Sequence, residues 1–127
     1  VSSDISEDRD TESERRMYEQ LGRMQLDIDP TDEKFIRPNI KEALRQWGAR
    51  EHPFVGDFLR AVLSNNLMEA MGRADGYNVR TLPAICAYVY NELPSPSHGS
   101  PEAVREWQEQ CLAALKAQPS PIEEPRA

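Results

Sequence analysis

What this 127-residue sequence lacks narrows it first. It has two cysteines, Cys86 and Cys111, and neither lies in a CxxC pair. Two thiols do not make a disulfide framework, and both fall in apolar helical patterns, where a reduced cysteine behaves as a small hydrophobe. No apolar run approaches about 18 residues, so no membrane span is expected. The first residues carry neither the basic nor the apolar region of a secretory signal, which makes the cytoplasm the expected location. Dinucleotide-binding, Walker, nucleophile-elbow, HExxH and EF-hand strings are all missing, so no motif gives a reason to propose catalysis, a metal or a cofactor. The two histidines, His52 and His98, are too few for a metal site of convergent ligands. His98 could serve as a base for Cys86 or Cys111, but both thiols sit on stripes expected to be buried, where a cysteine is poorly reactive.

What is present is acidic and unevenly so. Residues 1–36 carry eleven acids and five bases, residues 37–92 six and seven, and residues 93–127 five and three, which sums to the net −7 of the chain. A net acidic chain is repelled by nucleic acid at long range, so general DNA or RNA binding is not expected. Hydrophobic residues make up 39%, below the ordinary globular share, so part of the chain is expected to lie outside any core. Residues 1–11, opening VSSDISEDRD, form an acidic tail that cannot bury enough surface to offset its ordering entropy. Residues 119–127, with three prolines in QPSPIEEPRA, form a second loose tail. Residues 12–118 remain as one helical domain with a core over 36–117.

Within that domain the periodicity is helical and no strand is convincing. Residues 12–26 place Met17, Leu21 and Met24 on one face of a modest amphipathic helix, which either packs at the periphery or frays. Pro38 opens a helix with Ile40, Leu44 and Trp47 inward, ended by Gly48. Phe54, Val55, Phe58, Leu59, Val62, Leu63, Leu67, Ala70 and Met71 form the strongest stripe. Ser64-Asn65-Asn66 interrupts it, and Asn66 with Glu69 reads as a cap and its third-position partner. Two helices meeting there are favoured, with one long helix as the alternative. Leu82, Ile85, Cys86, Val89 and Leu93 form the next stripe, with Asn78 as its cap, Pro83 near its first turn and Tyr88 and Tyr90 at its flanks. Ser100-Pro101-Glu102 starts a last helix with Val104, Trp107, Cys111, Leu112 and Leu115 inward. The predicted architecture is all-α, a compact bundle of about five short helices crossing at ridge-into-groove angles.

Two groups of polar residues are candidate binding sites. Arg37, Lys41 and Arg45 share a helix face with Arg50 nearby. They would meet phosphates or an acidic partner, or only solvate the helix. Like charges four apart repel, so something should offset them, and the acidic N-terminal segment is one candidate. Asn65, Asn66, Glu69, Arg73 and Asp75 would form a polar patch at the helix junction. Their structural reading is helix caps plus a Glu69–Arg73 pair, with Asp75 shaping the next turn or pairing with Arg73. Trp47 and Trp107 are expected in the core.

From Pro53 the string PFVGDFLRAVLSNNLMEAMGRAD, followed by YVYNELP and HGSPEAVREW, resembles a family of small uncharacterised helical proteins carried mainly by bacteriophages and prophage-like elements. The likeness runs over about residues 36–108, with Phe58-Leu59, Ala61-Val62-Leu63, Gly72-Arg73-Ala74-Asp75 and Gly99-Ser100-Pro101-Glu102 all in order. The sequence departs from the family at Phe54-Val55, which stands between the proline and the glycine, and at Pro83, where the family has a good helix former. The resemblance implies a compact helical fold and a phage or mobile-element source, hence the host cytoplasm. It assigns no catalytic residue and no cofactor.

Three function classes follow. The first is a non-catalytic accessory protein that binds a host or phage protein, as a monomer or small homo-oligomer. The second is a nucleic-acid-associated regulator using Arg37, Lys41 and Arg45. The third, an enzyme, has no motif behind it.

Overall fold

The computed structural model describes residues 11–24 and 29–117. The tails expected at 1–10 and 119–127 lie outside the described residues. Among the described ones every regular element is helical: α1 (Glu12–Arg23), α2 (Pro38–Gly48), α3 (Asp57–Leu63), α4 (Leu67–Arg73), α5 (Gly76–Arg80), α6 (Leu82–Glu92) and α7 (Pro101–Ala117), with 3-10 turns at Glu33–Phe35 and Ser95–Ser97. No helix among them is long and apolar enough to cross a membrane.

Seven α-helices thus stand where about five were expected, and the difference has local causes. The break between α3 and α4 falls at the expected place. Asn65 turns with φ of 63°, and the Asn66 side chain accepts the Glu69 backbone N–H at 3.2 Å. The further short helix is α5. Its cap is Asp75, which accepts the Asn78 N–H at 2.7 Å; Asn78 itself is buried inside the helix and caps nothing. α5 cannot run on into α6 because Pro83 has no N–H to donate and its ring would strike the carbonyl four residues back. The chain restarts at Leu82 with Pro83 in the first turn, and the buried N–H of Ala84, which has no acceptor within the helix, donates to the Pro30 carbonyl at 2.8 Å. Thr11, placed in the tail by its neighbours, belongs to α1: Thr11 and Glu14 form a reciprocal capping box.

The core gathers one face each of α2, α3, α6 and α7. Ile40, Leu44, Trp47, Leu59, Leu63, Ile85 and Val104 have no exposed surface, and Phe58 and Trp107 nearly none. Both indoles are buried with their N–H groups satisfied. Trp107 Nε1 donates to the Trp47 carbonyl at 2.8 Å, and Trp47 Nε1 donates to the Ser97 carbonyl at 3.0 Å. This chain of bonds joins α7, α2 and the turn at Ser95–Ser97. Ser100 caps α7 as expected, accepting from Ala103 N–H at 3.0 Å. Two expectations about α7 and its neighbours fail. Leu112 and Leu115 are exposed because the last turns of α7 run past the core, and Cys86 is exposed at the border of two open hollows on the outer side of α6.

α1 packs at the periphery, on α5. It buries none of its residues fully, and Met17 and Met24 stay exposed. The docking face is instead Tyr18, Leu21 and Gly22. Tyr18 meets Tyr77 edge to face at 5.0 Å, and Arg80 on α5 donates to the terminal Met24 carbonyl of α1 at 2.6 Å. Gly22 lies so close to α5 that a Cβ there would stand 2.7 Å from the backbone of Gly76 and Tyr77. Gly22→Ala should therefore lift α1 from α5 at a cost of about 1–2 kcal/mol, the range of an overpacked contact. Limited proteolysis should then cut within α1, Glu12–Arg23, while 36–117 remains intact. Unchanged protection of that segment would mean that α1 does not depend on the close approach.

Candidate functional site

The predicted basic face does not survive folding. Arg37 is not on it: its side chain is buried, with Nη1 at 2.6 Å from Asp75 Oδ2 and the guanidinium 4.6 Å from the Tyr18 ring. Pro38 fixes the start of α2 at Arg37, which leaves this side chain at the helix entrance, aimed inward at the cap of α5. Lys41 Nζ lies 2.7 Å from Glu33, and that hydrogen bond holds its pKa above the ordinary lysine value. Arg45 binds Glu42 at 2.9 Å and Glu51 at 2.8 Å, which raises its pKa and lowers both carboxyls below the usual range. The offset expected for these like charges is thus real. Among the described residues its sources include Glu33, Glu42, Glu51 and Asp75, and Glu33 belongs to the acidic first segment. The remaining cation of this region, Arg50, stacks 3.8 Å from the Trp107 ring centre and donates to Gln110. An open cleft of about 330 Å³ between Glu33, Lys41, Arg45 and Tyr88 is accordingly lined by paired charges.

Replacing Lys41 and Arg45 together by Gln should leave the melting midpoint nearly unmoved, because exposed ion pairs contribute little. Adding Arg37→Gln to the pair should lower it sharply. Equal midpoints for the double and triple variants would contradict the burial of Arg37.

The predicted junction patch is divided by the fold. Glu69 and Arg73 pair at 2.7 Å as expected, and Arg73 also reaches Asp57 at 3.2 Å. With Arg60, Ser64 and Asn66 they border an open cleft of about 240 Å³. Asp75 takes no part in it, since it binds Arg37 and caps α5 rather than pairing with Arg73. Asn65 faces the other way, into the cavities described next.

Those cavities belong to a surface on which periodicity assigned Leu67, Met71 and Cys86 to the core and Tyr90 to its flank, with no assignment for Met68. Leu67 is 62% exposed, Met68 81%, Met71 46% and Tyr90 81%, and Cys86 is exposed beside them. Of the outward residues of α6, Pro83, Cys86, Ala87 and Tyr90 are uncharged, only Asn91 and Glu92 at its end being amide or acid, and no charge occurs from Leu82 to Asn91. A helix apolar all round is ordinarily covered on both sides. That uncharged run was the one sequence signal for this face. Two hollows open on it. The larger, about 360 Å³, is lined by Val62, Val89, Tyr90, His98 and Cys86; the smaller, about 50 Å³, by Leu67, Ala70 and Leu82. Val62, Asn65 and Cys86 line both, which makes them the middle of the face.

The face is electrically neutral. Burial holds the His98 imidazole below its ordinary pKa, partly offset by the nearby Leu93 backbone, and so favours the uncharged ring at neutral pH. Its Nε2 is buried with no hydrogen-bond partner. Although Cys86 as a residue is exposed, apolar surroundings raise its thiol above the ordinary range and keep it protonated. The premise that both thiols are buried therefore fails for Cys86, but the thiol is not an activated one. Among the described residues no three His, Cys, Asp or Glu side chains come together as a metal site. No protein-family model, curated protein or solved structure matches this chain.

Proposed function

We propose that this chain is a non-catalytic interaction protein, an accessory protein of a phage or mobile element, that acts by holding a protein partner on the α4/α6 face. The observation that carries the reading is the exposure of Leu67, Met68 and Met71 on α4 and of Cys86 and Tyr90 on α6, two helices that share the smaller hollow through Leu67 and Cys86. With side chains of about 200 Å² each, the four large residues leave on the order of 500 Å² of apolar surface in water, the size of the largest patches monomers show and often a functional one. Methionine and tyrosine are suited to such a surface, the first because it repacks freely and the second because it anchors at low entropic cost. The mobile-element setting comes from the motif resemblance. The nucleic-acid regulator loses its support, since Arg37, Lys41 and Arg45 are each occupied by a carboxylate of the same chain.

The test is capture from host-cell extract by the full chain and by a Met68→Lys, Tyr90→Glu variant. Both side chains are exposed, so the variant should melt where the parent does and should lose the captured partner. A variant that folds and retains every captured protein would refute the face. Duplex DNA binding at about 150 mM salt, lost on replacing Lys41 and Arg45 by Gln, would restore the regulator.

A further inference from the structure

The α4/α6 face is specific about what can cover it. The chain carries net charge −7, so a partner recruited by charge would be basic and would need acids at the contact. The face offers none: α6 is uncharged from Leu82 to Asn91, and the one acid of α4, Glu69, is bound to Arg73 at the separate cleft. Charge complementarity does not select a basic protein here. What an uncharged face does permit is the approach of a chain that is itself acidic, because two chains of like net charge repel least where neither carries its charge.

Shape points the same way. Tyr90, the most exposed aromatic of the face, projects beside the hollow of about 360 Å³ that it partly lines. A knob next to a hole on one surface is self-complementary under a twofold axis, since each copy then offers the knob to the other's hole. The centre of the face, marked by the residues common to both hollows, is Cys86, Val62 and Asn65. The area also fits. The four large side chains supply on the order of 500 Å², and Pro83, Cys86 and Ala87, all exposed, extend it toward the roughly 800 Å² per partner of a standard stable interface.

We propose that a second copy of this chain covers the α4/α6 face, in a twofold dimer with Cys86 near the axis and each Tyr90 ring seated in the other copy's hollow beside His98. The inference rests on the reading that this face binds protein and names the protein. The neutral imidazole and the protonated thiol suit it, since neither brings a charge into the closed interface. Met68 and Met71 cover the outer part of the contact, where the flexible side chains adjust to their counterparts.

Sedimentation equilibrium on the full chain, from about 1 µM to about 500 µM, is the test, because a standard interface binds in or below the micromolar range. The expected result is a mass that moves from one chain to two with rising concentration. Tyr90→Glu and Met68→Lys should each weaken the association at least tenfold without lowering the melting midpoint of dilute protein. A short bis-maleimide should join two copies through Cys86. The product should vanish in Cys86→Ser and persist in Cys111→Ser, whose thiol is buried. A single-chain mass over the whole range overturns the dimer. So does a dimer indifferent to both substitutions, which would lie on another face. If the chain is monomeric but these variants still lose a captured host protein, the dimer fails and the interaction reading stands. If it is monomeric and capture is unaffected, both fail.

Discussion

Trp47→Ala lowers the stability of the folded chain by about 3–5 kcal/mol, the cost of deleting a buried aromatic whose neighbours relax only in part. Trp47 has no exposed surface and stands where α2 meets α3, α6 and α7, so the cavity opens at the centre of the core rather than at its edge. The loss includes a polar component. The Ser97 carbonyl, on a fully buried residue, accepts the indole N–H at 3.0 Å, and an acceptor left without its donor costs about 1–3 kcal/mol of the total. Trp47→Phe separates the two contributions, because it fills most of the volume and removes the donor. The Trp47 main-chain carbonyl continues to accept from Trp107 in either variant. A domain of this size has about 5–15 kcal/mol in all, so Trp47→Ala should remove a large share of it and move the urea midpoint far down. A midpoint shift worth under about 1 kcal/mol would place the indole outside the core.

Trp47 also shows which part of the fold was legible in the sequence. Ile40, Leu44 and Trp47 recur at helical spacing, Pro38 and Gly48 bracket them, and every one of those assignments needs only neighbours within eleven residues. The break at Ser64–Asn66 and the start at Ser100-Pro101 were readable for the same reason, since caps act over three residues. The missed features depend on partners distant along the chain. Spacing places Arg37 on a face with Lys41 and Arg45, yet Arg37 is decided by a carboxylate 38 residues away and by the tight entry of α2. Periodicity likewise identifies Leu67 and Met71 as an apolar side of α4 without saying whether anything covers it. A stripe waiting for a partner and a stripe already in the core have the same pattern. What distinguishes this face is negative: the outward side of α6, where polar residues belong in a surface helix, has no charge over ten positions. The apparent junction patch failed in the other direction. Its residues are close in sequence, but Asn66 caps the N-terminus of α4 and Asp75 that of α5, and the two turn to different neighbours.

Asp75→Ala should be the most damaging change to any polar residue of the chain, because the side chain performs two tasks with its two oxygens. Oδ1 accepts the Asn78 N–H and caps α5, worth about 1 kcal/mol, and Oδ2 meets the buried Arg37 guanidinium at 2.6 Å. Removing it takes from a buried cation the carboxylate that stands 2.6 Å away, a class of change that costs about 3–5 kcal/mol. Asp75 itself is about one-third exposed and Arg37 keeps the Tyr18 ring 4.6 Å away, so the lower end of that range applies, about 3 kcal/mol. Arg37→Met should cost less than Asp75→Ala, although it deletes the same ion pair. The methionine fills the guanidinium's apolar stem space, and the carboxylate left behind is partly in water and still caps α5. Asp75→Asn should fall between, since asparagine caps as well as aspartate but has one oxygen for two donors and no charge. The discriminating measurement is a double-mutant cycle in urea across Arg37→Met and Asp75→Ala. The double variant should be less destabilised than the sum of the singles, because once the cation is gone the carboxylate is needed only as a cap. If instead Asp75→Ala costs no more than the cap and the two changes add, Arg37 draws its compensation from elsewhere and the link between α2 and α5 is not electrostatic.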